Sequence, residues 1–183
     1  MRSESPAFRL PLFAFILAFG LCRSGAAPAP AFPKVAPAFW NLKLKTLDGD
    51  SLPAASLRGG YVLLNFWGEW CPKCREELPF LKRQHAKYAA RGLRIVGLLK
   101  SVNAVAARKM IAENGAAWTQ CELDSATEAI FGIEKFPTNI LISPEGEIVM
   151  QGFSGHFQEY KRRMDALGGG SEIGKNAIAT PAK

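Results

Sequence analysis

Residues Tyr61 to Trp67 (YVLLNFW) form a nearly unbroken apolar run, and after three intervening residues the chain reads Cys71-Pro72-Lys73-Cys74. A strand with so little alternation has no face left for water. It belongs inside a sheet covered on both sides, the usual setting of parallel strands crossed over by helices. The stretch after the cysteines has the other period. Leu78, Leu81, His85 and Tyr88 stand at i, i+3, i+7 and i+10, which is one stripe of a helix. Pro79 falls inside that stripe and is expected to kink the helix. The pair of cysteines therefore sits where a buried strand hands over to a helix.

The same pattern continues along the chain. Asn41 to Leu47 alternates like a strand and Asp48-Gly49 reads as a turn. Arg94 to Leu99 reads as the next strand, and Ala104 to Asn114 as a helix closed by Gly115. Trp118 to Leu123 reads as a strand and Ala126 to Phe131 as a short helix. Thr138 to Ser143 and Glu147 to Phe153 read as strands joined by Pro144-Glu145-Gly146, a compact hairpin turn. Phe157, Tyr160, Met164 and Leu167 mark a last amphipathic helix. Strands alternating with helices predict a mostly parallel α/β sheet covered on both faces, with the final hairpin adding antiparallel strands at its edge.

The two ends differ from this core. Arg2 and Arg9 precede an uncharged apolar run from Leu10 to Cys22, and Ser24 and Ala26 follow at an A-x-A-like spacing. That run is shorter than the ~20 residues a membrane span needs. Residues 1–26 are therefore expected to be a cleaved secretory signal, with an anchor through residues 10–22 as the second reading. A lipid on Cys22 would want a small residue before it, where Leu21 stands. Residues 27–38, rich in Pro and Ala, read as a stiff extended leader. The domain is then 39–167, and the Gly-rich polar stretch 168–183 reads as a disordered tail. Export would place the protein outside the cytoplasm, where disulfides persist.

Charge and cysteine count exclude several classes. The +7 formal charge is scattered over the chain without forming a stripe, so it reads as a solvated surface and not a nucleic-acid interface. At 48% hydrophobic and 21% charged the chain can build a core without disulfide staples, and four cysteines are too few for a staple framework. Spacing then decides. Pro72 suits the first turn of a helix. Cys71 would stand at the helix N-terminus, where unpaired N–H groups and the helix dipole stabilise an anion. Lys73 would add a positive charge. Both effects depress a thiol pKa, and the thiolate is what attacks disulfides. Cys74, one turn on, suits the resolving role. A structural zinc site would want four ligands, and Cys121, His85 and His156 are not paired at ligand spacing. A purely structural bridge over so short a loop would return little chain entropy. Cys121, in an apolar strand, reads as an inert buried thiol, and His85 as a packed or rim histidine.

Two segments carry a resemblance. Asn65-Phe66-Trp67-Gly68-Glu69-Trp70-Cys71-Pro72-Lys73-Cys74-Arg75-Glu76-Glu77-Leu78-Pro79 resembles the active-site segment of the TlpA/ResA/CcmG group of thioredoxin-like proteins. Phe136-Pro137-Thr138-Asn139-Ile140-Leu141-Ile142-Ser143-Pro144-Glu145-Gly146 resembles the group's second signature, and the likeness spans roughly residues 36 to 165. It implies a single thioredoxin-like α/β domain with a central mixed sheet flanked by helices. It implies that Trp70 and Cys71 form the exposed rim of the site, that Pro137 is cis beside the dithiol, and that the Phe136 backbone pairs with substrate. Members of the group usually carry a smaller residue at the place of Phe136. Asn65 stands where cytosolic thioredoxins bury a proton-accepting Asp. Glu77, three residues beyond Cys74 on the same helical face, resembles the group's acid/base glutamate; Glu76 points elsewhere round the helix.

The activity implied is thiol–disulfide exchange, with no cofactor or metal beyond the redox-active Cys71–Cys74 pair. The implied role is reduction of disulfides of exported proteins, of the cytochrome c maturation or metallochaperone type. A membrane thiol reductant would supply electrons to a soluble monomer. Two alternatives stand beside it. A peroxiredoxin-like peroxidase would carry a Thr at Gly68, three residues before its reactive cysteine. A copper chaperone would carry three residues between its cysteines and a ligand histidine.

Overall fold

The computed structural model describes residues 33–153 together with Arg162 and Asp165. The expected signal segment, residues 27–32 of the leader and the tail lie outside these residues. So does the last amphipathic helix, of which only Arg162 and Asp165 are described; both are helical, and Asp165 takes an ion pair from Lys87 at 3.0 Å.

The elements are α1 (Pro37–Trp40), β1 (Lys43–Lys45), β2 (Ser51–Pro53), β3 (Val62–Trp67), α2 (Pro72–Tyr88), β4 (Arg94–Leu99), α3 (Ala104–Asn114), β5 (Thr119–Glu122), α4 (Ser125–Phe131), β6 (Thr138–Ile142) and β7 (Ile148–Phe153). Among the described residues five strands make the central sheet, in the order β5-β4-β3-β6-β7. β4 is parallel to both β3 and β5, whereas β6 is antiparallel to β3 and to β7. The expected apolar strand β3 is buried at all six positions. The fold is the thioredoxin-like mixed sheet flanked by helices.

Period-two alternation divides the core between the two faces of the sheet. Leu63, Trp67, Ile95, Leu99 and Leu141 point to one face, where α2 and α3 cover them with Leu78, Leu81, Tyr88, Ala107 and Met110. Val62, Leu64, Phe66, Val96, Leu98, Ile140 and Ile142 point to the other, under Phe39 and Trp40 of α1 and Phe131 of α4. Each long helix starts on a side-chain cap: Cys71 Sγ accepts from Cys74 N, and Asn103 Oδ1 from Ala106 N at 3.0 Å. α3 stops at Gly115, whose φ of +59° is the left-handed conformation a helix C-terminus asks for.

Two expectations change. The hairpin does not simply decorate the edge: β6 is an interior strand, buried at all five positions beside β3, and only β7 is peripheral. A hairpin can dock either strand inward, and its own sequence does not say which one will lie beside β3. The part of the leader that is described, residues 33–38, belongs to the packed unit. Val35 is 4% exposed, Val35 N donates to Gly146 O, and Ile148 N donates to Pro33 O. Prolines there prevented a strand reading, yet an edge that asks for only one or two donors can still be paired. The helix α2 runs unbroken from Pro72 to Tyr88 with the exposed Pro79 inside it.

Candidate active site: the Cys71–Cys74 pair

The chain leaves β3 at Trp67 and turns on itself, Cys71 N donating to Gly68 O at 3.1 Å. This turn brings Cys71 to the N-cap of α2. Pro72, lacking an N–H, costs nothing at the first helical position. The Cα atoms of Cys71 and Cys74 are 5.3 Å apart and the two are joined as a disulfide. Even so bonded, Cys71 Sγ accepts the Cys74 amide at 3.1 Å, so the sulfur lies where the helix offers unpaired N–H groups.

The rim differs from expectation. Trp70 is 48% exposed, but Cys71 is only 4% exposed and Cys74 2%. The turn tucks the sulfur under its neighbour instead of presenting both. Lys73 does not lend a free charge either. It pairs with Glu76 at 2.8 Å, one helical turn on, and both are exposed. The i,i+3 spacing of the two was the signal in the sequence for that pairing.

The Phe136–Pro137 peptide is cis. Pro137 is buried and precedes β6, whose Thr138 pairs with Phe66 at the end of β3 from which the Cys71 turn departs. Phe136 is half-buried and meets Trp70 edge to face, ring centroids 5.5 Å apart at 71°. Trp70 Nε1 in turn donates to Lys100 O at 3.1 Å. The large side chain at position 136 thus ties the cis-proline segment to the residue before Cys71.

Behind the pair lies a polar group that only the strand register assembles. Asn65 and Asn139 are directly opposed across β3 and β6. Asn65 Nδ2 donates to Asn139 Oδ1 at 2.9 Å, Asn139 Nδ2 to Glu77 Oε1 at 2.6 Å, and Asn65 Nδ2 lies 3.4 Å from Glu77 Oε2. All three residues are buried. Burial raises the Glu77 carboxyl to about 7, against the opposing pull of the Asn139 hydrogen bond. The row continues from Asn65 to Gly97 and Gln120 across β4 and β5. A Cβ on Gly97 would overlap the Gln120 side chain, whose Oε1 accepts Trp67 Nε1 at 3.0 Å. Asn139 is the site residue that sequence reading missed; its sole signal was its place in the second signature. Asn65, discounted there as unable to take a proton, joins the Glu77 network instead.

Cys121 and His85 stay apart from this group. Cys121 is fully buried in the opposite core, and burial pushes its thiol up to about 11. His85 stacks obliquely beside Trp118, ring centroids 5.9 Å apart. Among the described residues no helix is long and apolar enough to cross a membrane.

Known proteins resemble this arrangement. The thiol-disulfide oxidoreductase ResA of Halalkalibacterium halodurans is 32% identical over 111 residues, which is 60% of this chain and 62% of that protein. The chain thus spans less than two thirds of that relative's length. The thioredoxin domain of a thiol-disulfide oxidoreductase from Bacteroides vulgatus is 27% identical with a TM-score of 0.60, over 72% of this chain and 99% of the other. A thiol:disulfide interchange protein DsbE from Chlorobium tepidum is 25% identical with a TM-score of 0.63, over 75% and 96%. Residues 34–151, well over half of the sequence and including the whole dithiol site, match the AhpC/TSA family, and the chain belongs to that family.

Proposed function

We propose that this protein is a thiol–disulfide oxidoreductase that reduces disulfides of exported proteins. The observation that carries the reading is Cys71 at the cap of α2, one turn before Cys74, which stands one turn before a buried Glu77 that titrates near neutrality. In the reduced form the Cys71 thiolate attacks one sulfur of a substrate disulfide. A mixed disulfide forms, and the other substrate sulfur leaves as a thiolate. Cys74 then passes its proton to Glu77 and attacks Cys71. The Cys71–Cys74 bond closes and the second substrate sulfur is released. Two electrons have moved from the protein to the substrate. A dithiol reductant at the membrane restores the pair.

Glu77 follows Cys74 by three residues on α2 and both are buried, which supports a proton exchange between them. A group with a pKa near the working pH is the best compromise between accepting and returning that proton. Trp70, Phe136 and Pro137 form the substrate rim, the Phe136 backbone pairing with an extended segment of the target. The basic, apolar and small-residue pattern of residues 1–26 supports export, and the names of the relatives support disulfide chemistry. Targets of the cytochrome c maturation or metallochaperone type fit an exported reductant acting as a monomer.

Cys74→Ser tests the assignment. The variant should hold its partners on Cys71 as stable mixed disulfides recoverable from the cell envelope, and recovery of none counts against it. Peroxide turnover matching disulfide reduction would put a peroxidase first, although Gly68 occupies the place of that class's threonine.

A further inference from the structure

Glu69 lies two residues before Cys71, inside the turn that delivers the nucleophile, and its side chain points away from water: the residue is 6% exposed. One carboxylate oxygen accepts two backbone N–H groups of the loop between β4 and α3, Val102 N at 2.8 Å and Asn103 N at 2.6 Å. The other oxygen, Oε2, is buried with no hydrogen-bond partner among the described residues. Burying a charge this way is costly without strong compensation, and two neutral donors on one oxygen are modest compensation.

Further compensation for Glu69 comes from the N-terminus of α3, whose cap residue Asn103 it meets, and the lysines nearby are engaged elsewhere. On α2, Lys73 is neutralised by Glu76. On the β4–α3 loop, Lys100 is neutralised by Glu128 at 2.6 Å. Glu77, also on α2, faces the asparagine pair, and Lys135 before the cis proline is exposed. Two residues of chain span at most about 7 Å, so the Glu69 backbone cannot be far from that of Cys71. A negative charge held in the same turn as a thiol, and shielded from water, disfavours the thiolate.

We propose that Glu69 is a positioning residue that clamps the Cys71 turn to the β4–α3 loop and, through its buried charge, makes the Cys71–Cys74 pair more reducing. The dithiol form is stabilised by ionisation of Cys71 at the helix N-terminus. A nearby carboxylate opposes that ionisation, so it favours the disulfide and lowers the reduction potential. The inference rests on the oxidoreductase reading and deepens it, since it assigns the direction in which the pair is biased.

The test uses the full chain and Glu69→Gln, which keeps the oxygen that takes both amides and removes the charge. Two quantities are read: the pH midpoint of Cys71 alkylation, and the equilibrium in which the protein disulfide and two glutathione molecules give the dithiol and glutathione disulfide. The midpoint should fall by about half to one pH unit. The equilibrium should shift three- to tenfold toward the dithiol, tenfold being about 30 mV for this two-electron couple. An unchanged midpoint and equilibrium, or shifts of opposite sign, overturn the proposal. Should the variant not fold, the wild-type chain still decides. In the reduced protein the Glu69 carboxyl carbon resonance should move at the pH where Cys71 ionises and stay still in Cys71→Ser; absence of that coupling overturns the proposal too. A pair that fails to exchange with glutathione at all would instead sink the oxidoreductase reading, whatever Glu69 does.

Discussion

The two faces of the central sheet bury cysteine equally well and use it in opposite ways. On the α1/α4 face the core is hydrocarbon and aromatic: Phe39, Phe66 and Phe131 meet edge to face at centroid distances of 5.0 and 5.6 Å, and Cys121 lies fully buried among them. On the α2/α3 face Cys71 and Cys74 are almost as buried, at 4% and 2%, but a row of side-chain amides and a carboxyl runs beneath the helix. Burial alone pushes a thiol away from reactivity, as at Cys121. A helix cap offers the opposite influence, unpaired N–H groups that favour an anion, and Cys71 Sγ accepts one of them. Position relative to a helix end, more than exposure, separates Cys121 from Cys71.

The contrast breaks most decisively at the cysteines. Cys71→Ser should abolish disulfide exchange, while Cys121→Ala should leave it within about twofold of wild type, because an inert thiol contributes only packing. Comparable losses in insulin-type reduction assays for the two variants would erase the distinction.

Next comes the apolar face. Phe66→Ala removes a fully buried ring and should cost about 3–5 kcal/mol in chemical denaturation. The folded fraction should keep the Cys71 alkylation profile of the wild type. A changed profile would mean that the two faces are coupled.

Glu77→Gln should slow exchange roughly a hundredfold, within the range of general acid–base catalysis, and remove the step near neutrality from the pH–rate profile. It should also change stability with pH. Unfolded, a glutamate titrates near 4.3; folded, Glu77 titrates at about 7. Between these values the folded chain holds the extra proton, so its stability is greatest below the lower value and falls as pH rises through 7. The loss is on the order of 3 kcal/mol from this group, and the oxidised Gln variant should show a flatter curve in pH-dependent melting.

The smallest effect belongs to Asn139→Ala. The Asn139 hydrogen bond pulls the Glu77 pKa down, so its loss should move the neutral step of the profile upward by about one unit or less. A downward move would mean that the amide holds the protonated carboxyl.

How much of this was legible in the chain depends on how local each feature is. β4 and α3 lie at the expected residues, because Arg94 to Leu99 and Ala104 to Asn114 carry their periodicity and their Gly115 stop within a dozen positions. The dithiol was legible for the same reason, both cysteines lying within one helical turn. Phe136–Pro137 was expected cis from resemblance alone, since no property of the dipeptide requires it. The placement of β6 inside the sheet and the pairing of residues 33–35 were not legible: each depends on which distant edge was free.

Residue order by itself determined the strand, the turn, the helix start and hence a thiolate-favouring place for Cys71, because these are governed by neighbours a few positions away. Only the tertiary structure decided that Asn139 would meet Asn65 and Glu77 across 62 to 74 residues of chain, and that Glu69 would seize the amides of a loop more than thirty residues on. Those contacts set the charge around the dithiol. They arise from strand register and loop packing, which are settled when the whole sheet closes and not before.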